Sequence, residues 1–238
     1  MKTAVYCSTR NLYKDMLPSL KSLLINSDVE RVYFLIEDDE FPYELPDCVT
    51  TINVSSQKFF RPGGPNYSKP WTWMALMRAA LPQILKEDLV LSLDFDLIID
   101  KDINELWEID MADYYLAGVE EPKKEGFRHP YVNFGVILMN LKKLREDKID
   151  ERAIHSLDTV YTFANEQDVM NNLCFGKVRL LPSTYNSSDY SAPCADPKIT
   201  HYAGIGETFP WSGKRWQEKP LVEKYRNIPW EEIRCRST

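Results

Sequence analysis

The chain has 238 residues, 44% of them hydrophobic, and a formal net charge of −7. That length supports one large domain or two small ones with a sizeable core, so disulfide staples are not needed for stability. The acidic balance argues against nucleic acid as a partner, and leaves room for a nucleotide phosphate only if a cation bridges the two negative charges.

The opening run from Met1 to Cys7 is too short to be read as a signal peptide, and no apolar stretch approaches the ~20 residues that span a bilayer. Ala4 to Cys7 predicts a first strand, ending in the turn-like Ser8-Thr9-Arg10-Asn11. Leu12, Met16, Leu17, Leu20, Leu23 and Leu24 then recur at helical spacing. Arg31 to Ile36 and the β-branched run Val49 to Val54 predict two more strands. Arg61-Pro62-Gly63-Gly64-Pro65-Asn66 reads as a loop, and Trp71 to Leu85 as a helix. Asp88 to Leu93 is a buried-type strand, followed at once by Asp94-Phe95-Asp96 and the apolar Leu97-Ile98-Ile99. Tyr114 to Val119 and Val132 to Met139 are strand-like, whereas Glu151 to Val160 and Glu166 to Cys174 read as helices. Lys177 to Leu181 and Lys198 to Tyr202 are short strand candidates, and the tail after Trp211 mixes aromatic and charged residues. Strands alternating with helices predict a mixed, mostly parallel central sheet flanked by helices, an α/β class, and the absence of repeats or linkers predicts one domain.

Cys7, Cys48, Cys174, Cys194 and Cys235 are odd in number, widely spaced and free of any CxxC pair. They argue against a disulfide framework or a zinc knuckle, and favour a reducing, cytoplasmic setting.

In open α/β sheets, ligands bind beyond the carboxyl ends of the strands. Asp94 and Asp96 occupy that place after Leu89 to Leu93. Two carboxylates one residue apart can both reach a hard divalent cation such as Mg²⁺ or Mn²⁺, which substrate phosphates often complete. The bland alternative is two solvated acids at a strand end. Their setting inside an apolar stretch from Leu89 to Ile99 favours the cation, because neighbouring buried charges are costly without one.

Four further segments stand in order around this pair. They are Arg78 with Leu81-Pro82; Asn133-Phe134-Gly135-Val136 through Asn140, with Lys142-Lys143-Leu144-Arg145 behind it; Glu166-Gln167-Asp168 through Asn171; and His201-Tyr202-Ala203-Gly204. Together with Asp94-Phe95-Asp96 they resemble glycosyltransferase family eight, the retaining enzymes related to glycogenin and bacterial lipopolysaccharide galactosyltransferases. The resemblance runs from Ala4 to about Trp211.

The resemblance implies a GT-A fold: a nucleotide-binding half over about 1–100, a sugar and acceptor half over about 101–211, and a C-terminal tail over 212–238. It implies transfer of glucose or galactose from a UDP-sugar with retention of configuration, and Asp94, Asp96 and His201 as ligands of Mn²⁺ or Mg²⁺. Asn11 and Tyr13 would hold the uracil, although Tyr13 reads equally well as a packing residue. Arg78 would contact donor phosphate or sugar, as would Asn133, Gly135, Glu166 and Gly204. Gln167 and Asp168 would face the anomeric side of the sugar; their alternative is capping the helix N-terminus. Glu166 stands where the family usually has Asp, and Phe209 stands where it usually has the Lys that touches the diphosphate. Lys214 or Arg215 is the nearest replacement cation. A rival reading makes Lys214-Arg215-Trp216 a peripheral contact at the inner membrane face. The competing functions are a nucleotidyltransferase, opposed by the lack of Gly in Ser8 to Asn11, and a nucleotide-sugar or glycan-binding module without turnover.

Overall fold

The strands alternate their side chains between two buried faces, the pattern of a sheet covered on both sides. In β1 (Thr3–Cys7), Ala4 and Tyr6 enter one core and Val5 the other. In β2 (Arg31–Ile36), Val32, Phe34 and Ile36 face the first core and Leu35 the second. The first core is closed by α1 (Tyr13–Asn26), which buries Tyr13, Met16, Leu20, Leu23 and Leu24 along one stripe. The second is closed by α2 (Trp73–Ile84), α4 (Ile149–Thr159) and α5 (Asn165–Leu173). The computed structural model describes residues 1–68, 72–122, 126, 128–188, 194–203, 218–233 and 235.

The remaining strands are β3 (Val49–Asn53), β4 (Leu89–Leu93), β5 (Leu97–Ile99), β6 (Leu116–Glu120), β7 (Val132–Asn140), β8 (Val178–Leu181) and β9 (Ile199–His201). Seven of these nine form one sheet in the order β3-β2-β1-β4-β7-β6-β8, and β5 and β9 pair separately. Within the large sheet only β7 runs against its neighbours, so the sheet is mixed and mostly parallel, as expected. The β6–β7 ladder slips: Gly118 pairs with Ile137, but Glu120 pairs with Val132. The slip lifts residues 133–135 out of regular pairing with β6 and toward the end of β4.

Two helices were not read from the sequence. One is the six-residue α3 (Leu141–Glu146), capped by Asn140, whose Oδ1 accepts from Lys143 N–H at 3.0 Å. The other, α6 (Pro220–Arg226), docks on α1, where Lys21 Nζ donates to the Arg226 carbonyl at 3.2 Å. The cysteines also depart from expectation. Cys48 and Cys235 form a disulfide, with Cα atoms 5.7 Å apart and 187 residues between them in sequence. Only the fold brings them together, so no local spacing announces the pair. Among the described residues, no helix is long and apolar enough to cross a membrane.

Candidate active site

The site forms where β4 ends. Asp94 N–H donates to the Gly135 carbonyl at 2.8 Å, and the chain then turns into β5. β5 pairs antiparallel with β9, which sets Leu97 opposite His201. Tyr202 N–H donates to the Asp96 carbonyl at 2.9 Å, clamping the two segments side by side. This register carries His201 onto the acidic pair although more than a hundred residues separate them in the chain.

His201 is buried, and its Nε2 lies 3.2 Å from Asp96 Oδ1 and 3.6 Å from Asp94 Oδ2. The geometry is not that of a hydrogen bond, and Nε2 is left without a partner. Ligand atoms of Asp94, Asp96 and His201 all lie within 4.8 Å of one another. A buried imidazole nitrogen aimed at two carboxylates fits a divalent cation by donor set and placement. Burial alone would lower the His201 pKa, but the Asp96 and Asp94 carboxylates outweigh it and raise it. Burial raises the Asp94 pKa against the opposing pull of Arg78.

The imidazole rests on Gly135. A Cβ there would fall under 3.0 Å from Cε1, Nδ1 and Nε2 of His201. Gly135→Ala is therefore expected to push the ring off its carboxylates. The expected cost is about 1–3 kcal/mol of stability from overpacking, and a drop of roughly 10–100-fold in Mn²⁺ affinity. Calorimetric Mn²⁺ titration beside a melting curve checks this; unchanged affinity would mean that the ring can move aside freely.

Arg78 projects from α2 into the same space. Its Nη1 donates to Asp94 Oδ1 and to the Phe134 carbonyl, each at 2.7 Å, and its Nη2 pairs with the buried Glu166. Burial raises the Glu166 pKa, opposed chiefly by Arg78. Gln167 Oε1 accepts from Phe134 N–H at 2.9 Å, so both backbone polar groups of Phe134 are held by site residues. Asp168 caps its own helix: Oδ2 accepts from Ala164 N–H at 2.8 Å, and Oδ1 accepts from the Tyr131 hydroxyl at 2.5 Å. Asn133 Nδ2 donates to Glu121 at 2.8 Å, and its Oδ1 accepts from Gly135 N–H and Asn186 Nδ2, both at 2.8 Å.

Tyr13 stands apart from this cluster. Its ring is buried against Phe41 and its hydroxyl accepts from Glu37 N–H at 2.8 Å, so the packing alternative describes it and no ring face is offered to a base. Asn11 is exposed in a short turn after β1, with Oδ1 accepting from Thr9 Oγ1 at 2.7 Å. Gly204, Lys214, Arg215 and Trp216 lie outside the described residues. The sequence reading missed Glu121, Tyr131 and Asn186, which hold Asn133, Gln167 and His201 in place. Glu121 follows the end of β6, so the rule that found Asp94 would have reached it too.

Residues 4–215 match the family described as Glycosyl transferase family 8. The chain is 25% identical over 214 residues to a putative glycosyltransferase of Haemophilus influenzae, covering 76% of this chain and 65% of that protein. It is 28% identical over 232 residues to the glycosyltransferase GlyE of Streptococcus pneumoniae, covering 89% of this chain and 53% of that protein. A lipopolysaccharide 1,2-glucosyltransferase of Escherichia coli is 29% identical over 177 residues, or 61% of this chain and 51% of that enzyme. The chain thus spans about half to two thirds of these relatives. Among solved structures, GlyE superposes with a TM-score of 0.71 at 20% identity, covering 98% of this chain and 62% of that one. The galactosyltransferase LgtC, solved with donor and acceptor sugar analogs, gives a TM-score of 0.68 at 19% identity, covering 96% of this chain and 99% of that one. These likenesses give the GT-A fold. With an ordered motif set at the end of β4 and a family match over most of its length, the chain belongs to glycosyltransferase family 8.

Proposed function

We propose that the chain transfers a hexose, glucose or galactose, from a UDP-sugar to an acceptor with retention of configuration, using a divalent cation, Mn²⁺ or Mg²⁺. The unpartnered, buried Nε2 of His201 facing Asp94 and Asp96 carries this reading. A cation held there would neutralise charge on the departing diphosphate. The chain's own residues supply the rest. Arg78 balances the buried Glu166 and Asp94, and so keeps polar groups in place for donor hydroxyls. Gln167 offers a carbonyl oxygen toward the positive charge that develops at the anomeric carbon. Asn133 and Gly135 form the floor of the site, and the donor's nucleotide would lie over the half built from β1 to β4. A disulfide suits an oxidising compartment, so the cytoplasmic setting expected from cysteine spacing is not carried forward.

An acidic protein should bind a diphosphate poorly unless a cation bridges them. UDP is therefore expected to bind on the order of 10²-fold more tightly with Mn²⁺ than with a chelator, from the several kcal/mol such a cation supplies. Calorimetry under both conditions, paired with UDP release from UDP-glucose and UDP-galactose, tests the reading. Equal affinity would point to a metal-free pocket. Mn²⁺-dependent UDP binding without any release would favour a binding module.

A further inference from the structure

Glu121 is a carboxylate with 2% exposure that the motifs do not include, and two hydrogen-bond branches end on its Oε1. In the first branch, Gln167 Nε2 donates to Glu121 Oε1 at 3.0 Å and to the Tyr131 hydroxyl at 3.0 Å. Tyr131 spends its own proton on Asp168, so it can only accept from Gln167. Phe134 N–H, which can only donate, meets Gln167 Oε1. The amide therefore has one permitted orientation: both N–H bonds are spent at one end, and one carbonyl lone pair is left at the other.

The second branch is longer. Asn133 Nδ2 donates to Glu121, which forces Asn133 Oδ1 to face Gly135 N–H and Asn186 Nδ2. Asn186 must then present Oδ1 to His201 Nδ1, 2.8 Å away. An acceptor at that position requires the proton on Nδ1 and leaves the Nε2 lone pair facing Asp94 and Asp96. Asn133 is held at both ends, its Oδ1 by Gly135 N–H, which can only donate, and its Nδ2 by the Glu121 carboxylate, which can only accept, and the Asn186 orientation follows from it.

We propose that Glu121 is a positioning residue serving both halves of the site: it holds the NH2 end of Gln167, whose oxygen end meets Phe134 N–H, and the NH2 end of Asn133, whose oxygen end meets Gly135 N–H, and through Asn133 and Asn186 it supports the Nδ1–H tautomer of His201. Its negative charge also polarises the Gln167 amide, increasing electron density on the carbonyl oxygen. The metal branch concerns this chain's own side chains; the Gln167 branch rests on the sugar-transfer reading proposed above.

Glu121→Gln keeps size and packing but allows the terminal group to donate as well as accept. It is expected to weaken Mn²⁺ binding roughly 10–100-fold, the usual cost of disturbing a ligand's support. It should also lower kcat for UDP release at saturating Mn²⁺, with little change in KM for the UDP-sugar. In the Asn186→Ala background the same substitution should no longer change Mn²⁺ affinity. In the Gln167→Ala background it should no longer change kcat. In the metal-free wild type, above the His201 pKa, the ring ¹⁵N shifts should report a predominant Nδ1–H tautomer, and the Glu121→Gln variant a smaller fraction of it, Gly135 N–H still holding one end of Asn133. Effects of equal size in both backgrounds, or an unchanged tautomer, would overturn the positioning role. If the Mn²⁺ and ¹⁵N results hold but the wild type releases no UDP from either donor, the metal branch stands; the sugar-transfer reading fails, and the Gln167 branch with it.

Discussion

Asp96→Asn is expected to reduce metal-dependent sugar transfer by roughly 10³-fold, the several kcal/mol that a Lewis acid supplies at a diphosphate leaving group. The fold should survive. Asp96 lies within reach of His201 Nε2, beside a second carboxylate that stays in place in the variant. Removing one negative charge from a crowded acidic cluster relieves repulsion, so the melting temperature should stay within about 2 °C. The measurement is a transfer or UDP-release assay over a Mn²⁺ titration, beside a melting curve. Full activity with unchanged Mn²⁺ dependence would remove the basis of the metal reading.

Arg78→Met should act in the opposite way, on the fold before the chemistry. It strips the cation from between Glu166, whose side chain is 3% exposed, and Asp94. Breaking a buried ion pair on one side costs about 3–5 kcal/mol, because the remaining charge stays buried without compensation. For a chain of this size that is a fall of roughly 10 °C in Tm. The pH dependence has a definite sign. Burial already raises the folded-state pKa of Glu166, and Arg78 opposes that rise. Without Arg78, folded Glu166 should hold its proton to still higher pH than the unfolded chain does. Stability is then full below the unfolded carboxylate pKa and is lost as pH rises through the folded one. The deficit of the variant should therefore be smaller in mildly acidic than in alkaline buffer. A pH-independent deficit would mean that Arg78 contributes packing rather than charge compensation.

How far the sequence reaches depends on how local each feature is. Eight of the nine strands were legible, most of them because burial on both faces leaves apolar runs; β5 (Leu97–Ile99) was read only as an apolar stretch after Asp94 and Asp96. Helices α1, α2, α4 and α5 were found within a few residues of their observed ends. The six-residue α3 was not, being too short for a period to show. The cluster of Asp94, Asp96 and His201 was assembled from the family resemblance, since nothing in the local sequence reveals the β5–β9 register that joins them. Asn186 and Tyr131 stayed invisible for a similar reason: each matters through a partner distant in the chain. Cys48 and Cys235 are the extreme case.

Part of this site has no side chain. The slip between β6 and β7 frees the peptide groups of residues 133–135 from the ladder, and site residues take them up. Phe134 gives its N–H to Gln167 and its carbonyl to Arg78; Gly135 gives its N–H to Asn133 and its carbonyl to the Asp94 amide. Genetic substitution by any residue but proline leaves all of these groups in place. An alanine scan through this stretch would report how Phe134 packs and would overlook what its peptide does. Swapping the amide that precedes Phe134 for an ester, which deletes that N–H while keeping the Phe134 side chain, would expose a functional group that an alanine scan does not remove.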